Sequence, residues 1–310
     1  MKWILGVSVI AIVMGWVATM TIPAATVPID DAGLKFLPPD TKGIVFIDVA
    51  ALLNAPLVQD VLKDGKLVGR RDWGDFGAAT GMDPERDIDK VTIGQIDGKD
   101  TVVIVQGRIN KFKIQQYLKD KGKESETYLG QTLYRDGNNT IVVMENLVLL
   151  GQSNAVKKAV EQVQLPASSP LRSDLKAAIQ TIDAGNQIWG VGDFSAADLS
   201  NLGVRGPAPA LEMLKSLKGG TYQMHVDTGI QARAVGNFTD VESAKNIGDL
   251  VRGALAVAKM QIAQQQVDMV KLLDGIQVTN SGTTLTLRID ESGELLKKLK
   301  DLRSLPVPGQ

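Results

Sequence analysis

Two stretches of this chain read alike, and that likeness limits the folds open to it. Residues 43–49, GIVFIDV, form an apolar run with Asp48 near its end and pass into a helical pattern over 50–62. Residues 187–194, QIWGVGDF, carry Asp193 near their end and enter SAADL at 195–199. A short run rich in β-branched and aromatic residues reads as a buried strand. Each run is followed by a hairpin pattern, a glycine and a capped helix. In the first copy the hairpin is 91–96 with 101–107, around Asp97-Gly98-Lys99-Asp100, and Asn110 stands three residues beyond Gly107 as a helix cap. In the second it is 221–226 with 230–236, around Asp227-Thr228-Gly229. There Thr239 stands three residues beyond Gly236 and forms a capping box with Glu242. A half-buried hairpin must hide its apolar face, and a helix launched from its exit can cover it. The expectation is an α+β fold of two related units, each a mainly antiparallel sheet with helices packed on one face.

The rest of the chain fits around these copies. Residues 23–42 read as a linker ending in Leu37-Pro38-Pro39-Asp40, residues 43–164 as the first unit, 165–184 as a connector and helix, 185–303 as the second unit, and 304–310 as a tail. Within the first unit Pro56 suits the first position of a helix, and three strands are expected near 127–134, 140–145 and 147–150. Ser153 is the expected cap of the helix that follows. In the second unit Ser195 with Asp198 resembles a further capping box. A long helical pattern runs over 241–273, with a polar middle at 261–265 where it is expected to bend or break.

Ahead of both units, Trp3–Ile22 is a run of twenty residues without a charge, preceded only by Met1 and Lys2. At about 1.5 Å per residue it would cross a bilayer core of about 30 Å. A cleaved signal segment has a shorter apolar region of about 7–15 residues before a small-residue site. Length therefore favours a retained transmembrane anchor, with a signal peptide as the alternative, and Trp3 and Trp16 suit the membrane interface. Either reading places the globular part outside the inner membrane.

Composition removes whole classes of chemistry. The 310 residues contain no cysteine, so thiol nucleophiles, thiolate-bound zinc and iron–sulfur clusters are excluded. The formal net charge of −1 gives no general attraction for a phosphate backbone, and no nucleic-acid partner is expected. His225 is the sole histidine and lies in a strand pattern with no triad partners nearby. Asp83, Glu85, Asp87 and Asp89 are spaced loosely like a calcium loop, but Pro84 intrudes and the central glycine is missing, so a solvated loop is the better reading. Gly190-Val191-Gly192 lacks the third glycine of a dinucleotide loop and lies inside the strand. Arg70-Arg71 beside Trp73 reads as a solvated helix edge, with an anion or lipid headgroup as the sharper alternative. No catalytic, cofactor or metal residue is assigned, and no cofactor is expected.

The segment Leu37-Pro38-Pro39-Asp40-Thr41 before the first strand, and Leu272-Leu273-Asp274-Gly275-Ile276-Gln277-Val278 near the end, resemble bacterial exported proteins of uncharacterised function. In those the domain opens with a Leu-Pro-x-Asp-Thr segment after an N-terminal apolar stretch. The resemblance implies an envelope location and carries no activity with it. The expected function is that of an exported, membrane-anchored, non-catalytic envelope or binding protein, periplasmic or extracellular in its folded part, with a protein, peptide or lipid as partner. The alternative is a carboxylate-dependent hydrolase whose acids converge only in the fold.

Overall fold

The computed structural model describes residues 33–63, 74–97, 100–164, 171–193, 215–262 and 267–295. The expected anchor at 3–22, the pair Arg70-Arg71 with Trp73, and the capping box at Ser195 lie outside these. Among the described residues no helix is long and apolar enough to cross a membrane. The architecture is α+β, built on antiparallel strand pairing throughout. The described residues fall into two compact units divided between Gly192 and Asp193.

In the first unit eight strands follow the order β8-β1-β2-β3-β7-β6-β5-β4. These are β1 (Gly43–Asp48), β2 (Ile88–Asp97), β3 (Asp100–Gly107), β4 (Ser125–Tyr128), β5 (Gln131–Asp136), β6 (Asn139–Met144), β7 (Leu147–Gln152) and β8 (Ile188–Gly192). The stretch 187–194, expected to open the second unit, instead closes the first. Its strand β8 pairs antiparallel with β1, from Ile47 opposite Ile188 to Gly43 opposite Gly192. The stretch 127–134, read as one strand, is split between β4 and β5 by a turn at Leu129 and Gly130, both with positive φ.

Helices cover both faces of this sheet rather than one. Leu133, Val142, Leu149 and Ile104 point to one side, where they pack with Ala155, Val156, Ala159 and Val160 of α6 (Ser153–Val163) and with Leu175 and Ile179 of α7 (Ser173–Ile179). Trp189, fully buried and stacked on Phe46 at 5.2 Å, belongs to the same side. Tyr134, Val143 and Val148 point the other way and pack with Ile114 and Leu118 of α5 (Lys111–Asp120). Alternate residues of the apolar run Ile141–Met144 thus enter two cores, which is why the run does not alternate in polarity.

Shorter helices fill the first crossover: α1 (Val49–Asn54), α2 (Pro56–Lys63), α3 (Gly74–Thr80) and α4 (Pro84–Asp87). Asp48 ends β1 and caps α1 by accepting from Ala51 N–H at 2.8 Å, and Pro56 takes the first position of α2 as expected.

The second unit carries four strands in the order β11-β12-β10-β9: β9 (Leu217–Val226), β10 (Gly229–Phe238), β11 (Gln277–Ser281) and β12 (Thr284–Ser292). Between its two hairpins run α8 (Val241–Ile262) and α9 (Val267–Asp274), on either side of the polar middle. Ala244, Ile247 and Val251 of α8 pack on Leu285 and Val278. The strand order β9-β10-β12-β11 matches β2-β3-β7-β6 in the first unit, with a helix between the hairpins in both.

Two caps differ from expectation and one does not. Asn110 accepts from Lys113 N–H at 3.1 Å, as expected. Ser153 is the first helical residue of α6, and Gln152 before it makes no side-chain cap. At α8 the cap is Asp240, not Thr239: its carboxylate accepts from Ser243 N–H at 2.7 Å, while Thr239 donates its hydroxyl to the same carboxylate at 2.8 Å. The helix begins one residue later than the capping box required. Replacement Asp240→Ala is therefore expected to lower stability in urea by about 1 kcal/mol, and Thr239→Ala by clearly less. Equal losses in the two variants would contradict this geometry.

Candidate functional site

One open groove lies in the first unit, where β3 ends and α5 begins. Gly107 must be glycine there, because an added Cβ would stand 2.0 Å from the Asp87 carbonyl oxygen. The tight passage is sealed by Gly107 N–H donating to the Asn146 carbonyl at 3.2 Å and Arg108 N–H donating to the Asp87 carbonyl at 2.8 Å. Asn146 reaches that position with φ of 56° in the short turn between β6 and β7. Beyond this junction Arg108, Asn110, Lys111, Phe112, Gln115 and Glu145 line a groove of about 610 Å³. Phe112 is 80% exposed on its rim.

Arg108 is not free to swing. Its Nε lies 3.4 Å from Asp87 Oδ1, and the Asp87 carboxylate also takes Nε of Arg86 at 2.9 Å and the Asp83 N–H at 2.8 Å. Asp87 is buried, and its pKa is held well below the usual carboxylate range, first by Arg86 and then by the Asp83 amide, against the effect of burial. Asp87 is therefore a structural anchor, while Asp83 and Glu85 of the same run remain exposed. Asp83 caps the short turn α4 by accepting from Glu85 N–H at 3.1 Å. Among the described residues no three of His, Asp and Glu converge as metal ligands.

The second unit holds the other unusual carboxyl. Glu291 of β12 is 5% exposed, and its Oε1 has no hydrogen-bond partner. It sits against Gly275, just past the end of α9, where an added Cβ would lie 2.0 Å from Oε1. Burial, assisted by Asp290, pushes its pKa up to about 7. His225 stands opposite Gln231 on the neighbouring strand. Gly190 and Gly192 lie inside β8, where Gly192 lets β1 approach: a Cβ there would meet the Gly43 Cα at 2.6 Å.

Residues of the stretch 241–273 divide between core and surface. Ala244 and Ile247 are core, but further along α8 Leu250 and Val257 are exposed and Met260 is 68% exposed. Phe112 and Glu291 were missed from sequence, although each breaks a pattern. Phe112 is out of phase with the Ile114–Leu118 stripe. Glu291 falls on the alternation set by Leu285, Leu287 and Ile289.

No family model matches the chain, and no curated protein matches its sequence. Its fold is similar to that of a solved protein, TP0453. Crystal form III superposes with a TM-score of 0.50 at 11% identity, over 87% of this chain and 97% of that one. Crystal form I gives 0.48 at 10% identity, over 91% and 99%. The likeness concerns the course of the chain alone.

A raised carboxyl pKa in the folded state gives stability that is complete below the unfolded value near 4.3 and is lost as pH rises through about 7. Wild-type protein is expected to unfold more easily at pH 8 than at pH 5, and Glu291→Gln to remove much of that difference, gaining about 1–3 kcal/mol at pH 8. Asp87 has the opposite sign: its depressed pKa supplies stability above about pH 4 that fades on acidification. Asp87→Asn should cost about 1–3 kcal/mol at neutral pH and progressively less as pH falls below about 4. Urea titrations of both variants across pH measure these slopes directly.

Proposed function

We propose that this is an exported, non-catalytic binding protein of the cell envelope, held to the membrane by Trp3–Ile22 and engaging a protein or peptide partner through the groove at Phe112. The observation that carries the reading is a large aromatic side chain, 80% exposed, on the rim of an open groove whose other groups are Ile109 and a set of amides and charges. Exposed aromatics beside arginine are the residues that interfaces use as anchors, and Phe112 lies within a few residues of Arg108 and Lys111. The rim is also rigid, since Asp87 fixes Arg108 and Asn110 fixes the first turn of α5. The anchor reading rests on the uncharged length of residues 3–22.

The two units are, on this reading, copies of one ancestral plan. Support comes from the shared strand order and from parity along the strands. Gly107 ends β3 and Gly236 lies near the end of β10. Val105, two residues before the first, faces α5, and Ala234, two before the second, faces the α8 side. The alternative of a carboxylate-dependent hydrolase finds less support, because Asp87 is committed to two arginines and a backbone amide.

A photo-crosslinking amino acid placed at position 112 of the full chain is expected to give a discrete adduct in intact cells, lost when Arg108→Glu is added. The same probe at the exposed Lys119, on the same helix, should give none. A position-112 adduct that persists unchanged in the Arg108→Glu background would reject the groove, and release of full-length chain from membranes by alkaline carbonate would reject the anchor.

A further inference from the structure

We propose that the second unit binds a phosphate group between Arg233 and Arg288, on the face of its sheet opposite α8. The register sets these two side chains directly across from each other on β10 and β12. Gln223 of β9 pairs with Arg233 and Gln277 of β11 with Arg288, so the four strands carry one continuous row: Gln223, Arg233, Arg288, Gln277. Leu285 and Val278 point to α8, and the alternation along β12 therefore turns Arg288 to the other side.

Like charges directly opposite in an antiparallel pair, about 5 Å apart, repel and destabilise the sheet. Neither arginine has a carboxylate or any other hydrogen-bonding partner among the described residues, and Arg233 Nε is sealed from solvent with its donor unused. Gln223 at one end of the row is buried, whereas Arg288 and Gln277 at the other are exposed. An anion can thus reach Arg288 from solvent and meet Arg233 behind it.

The geometry selects phosphate over carboxylate. Two guanidinium forks on neighbouring strands present more donors than one carboxylate can accept, while a tetrahedral oxyanion can take a fork on each of two edges. The Gln277 amide adds a donor at the exposed end of the row. Free phosphate and a phospholipid headgroup share this chemistry.

Isothermal titration of the full chain in neutral detergent with inorganic phosphate, at constant ionic strength, tests the site. The expected result is saturable binding that weakens about tenfold or more in both Arg233→Gln and Arg288→Gln, the loss of one charge-assisted fork, and is unchanged in Lys119→Gln. Without phosphate, Arg288→Gln should unfold at the same or a higher temperature than wild type, since it removes a repulsion. A purely structural arginine would give the reverse. Titration of a short-chain, water-soluble phosphatidic acid in the same detergent, with short-chain phosphatidylcholine as control, separates the sources. Arginine-dependent binding of the phosphatidic acid, absent with the phosphatidylcholine, assigns a headgroup, and binding of inorganic phosphate only assigns the free ion. Equal affinity for acetate, insensitivity to both substitutions, or no binding in either arm overturns the proposal.

Discussion

The first unit is held together by one strand with two partners of very different origin. β1 is paired on one edge by β2, which follows after four short helices, and on the other by β8, which arrives only at the unit's end. Closing a loop of that length costs entropy that grows slowly with length, so the contact that closes it must be extensive and well fitted. It is both. Five residue pairs align from Gly43–Gly192 to Ile47–Ile188, and Trp189 is buried against Phe46 where the two strands meet. Glycine at 192 lets the backbones close, since a Cβ there would stand 2.6 Å from the Gly43 Cα.

That pairing also explains why the division of the chain was misplaced from sequence while its strands were found. QIWGVGDF looks like GIVFIDV because both are short apolar strands paired side by side over the same buried core. Likeness of pattern was therefore read as the start of a new unit, when adjacency in the sheet produces it equally well. The hairpins, the Asn110 cap and the restart at Pro56 were legible because local chemistry alone fixes them. The Thr239–Asp240 shift was not, since both residues can cap and only the backbone's entry into the helix decides between them. The turn at Leu129 was hidden for a related reason: leucine at positive φ carries no turn signal, and the surrounding strand pairing imposes it.

The groove was less legible than the fold, and its parts show why. Asp87 was visible as an acid but its role depends on Arg108, which is distant in sequence and brought beside it only by β2 pairing with β3. A carboxylate held by two guanidinium groups and a backbone amide stabilises because its partners are already in place. The same contact that fixes the hairpin exit therefore fixes the groove wall. Rigidity at the site is a by-product of how the chain leaves the sheet.

The second unit distributes its polar groups by a simpler rule with larger consequences. Along β12, TLTLRIDES, residues 285, 287, 289 and 291 face the helices and residues 286, 288 and 290 face away. The strand runs past the apolar cover by one step, so the helix side that begins with leucine ends with Glu291. Only a glycine at 275 leaves space for that carboxyl beside the end of α9. On the far side the same alternation sets Arg288 opposite Arg233, with no acid among the described residues committed to either. A shift of one residue in register would exchange the two faces and bury the arginines under α8. The pairing that holds the sheet together thus also decides that one carboxyl is kept dry and two guanidinium groups stay able to meet an anion.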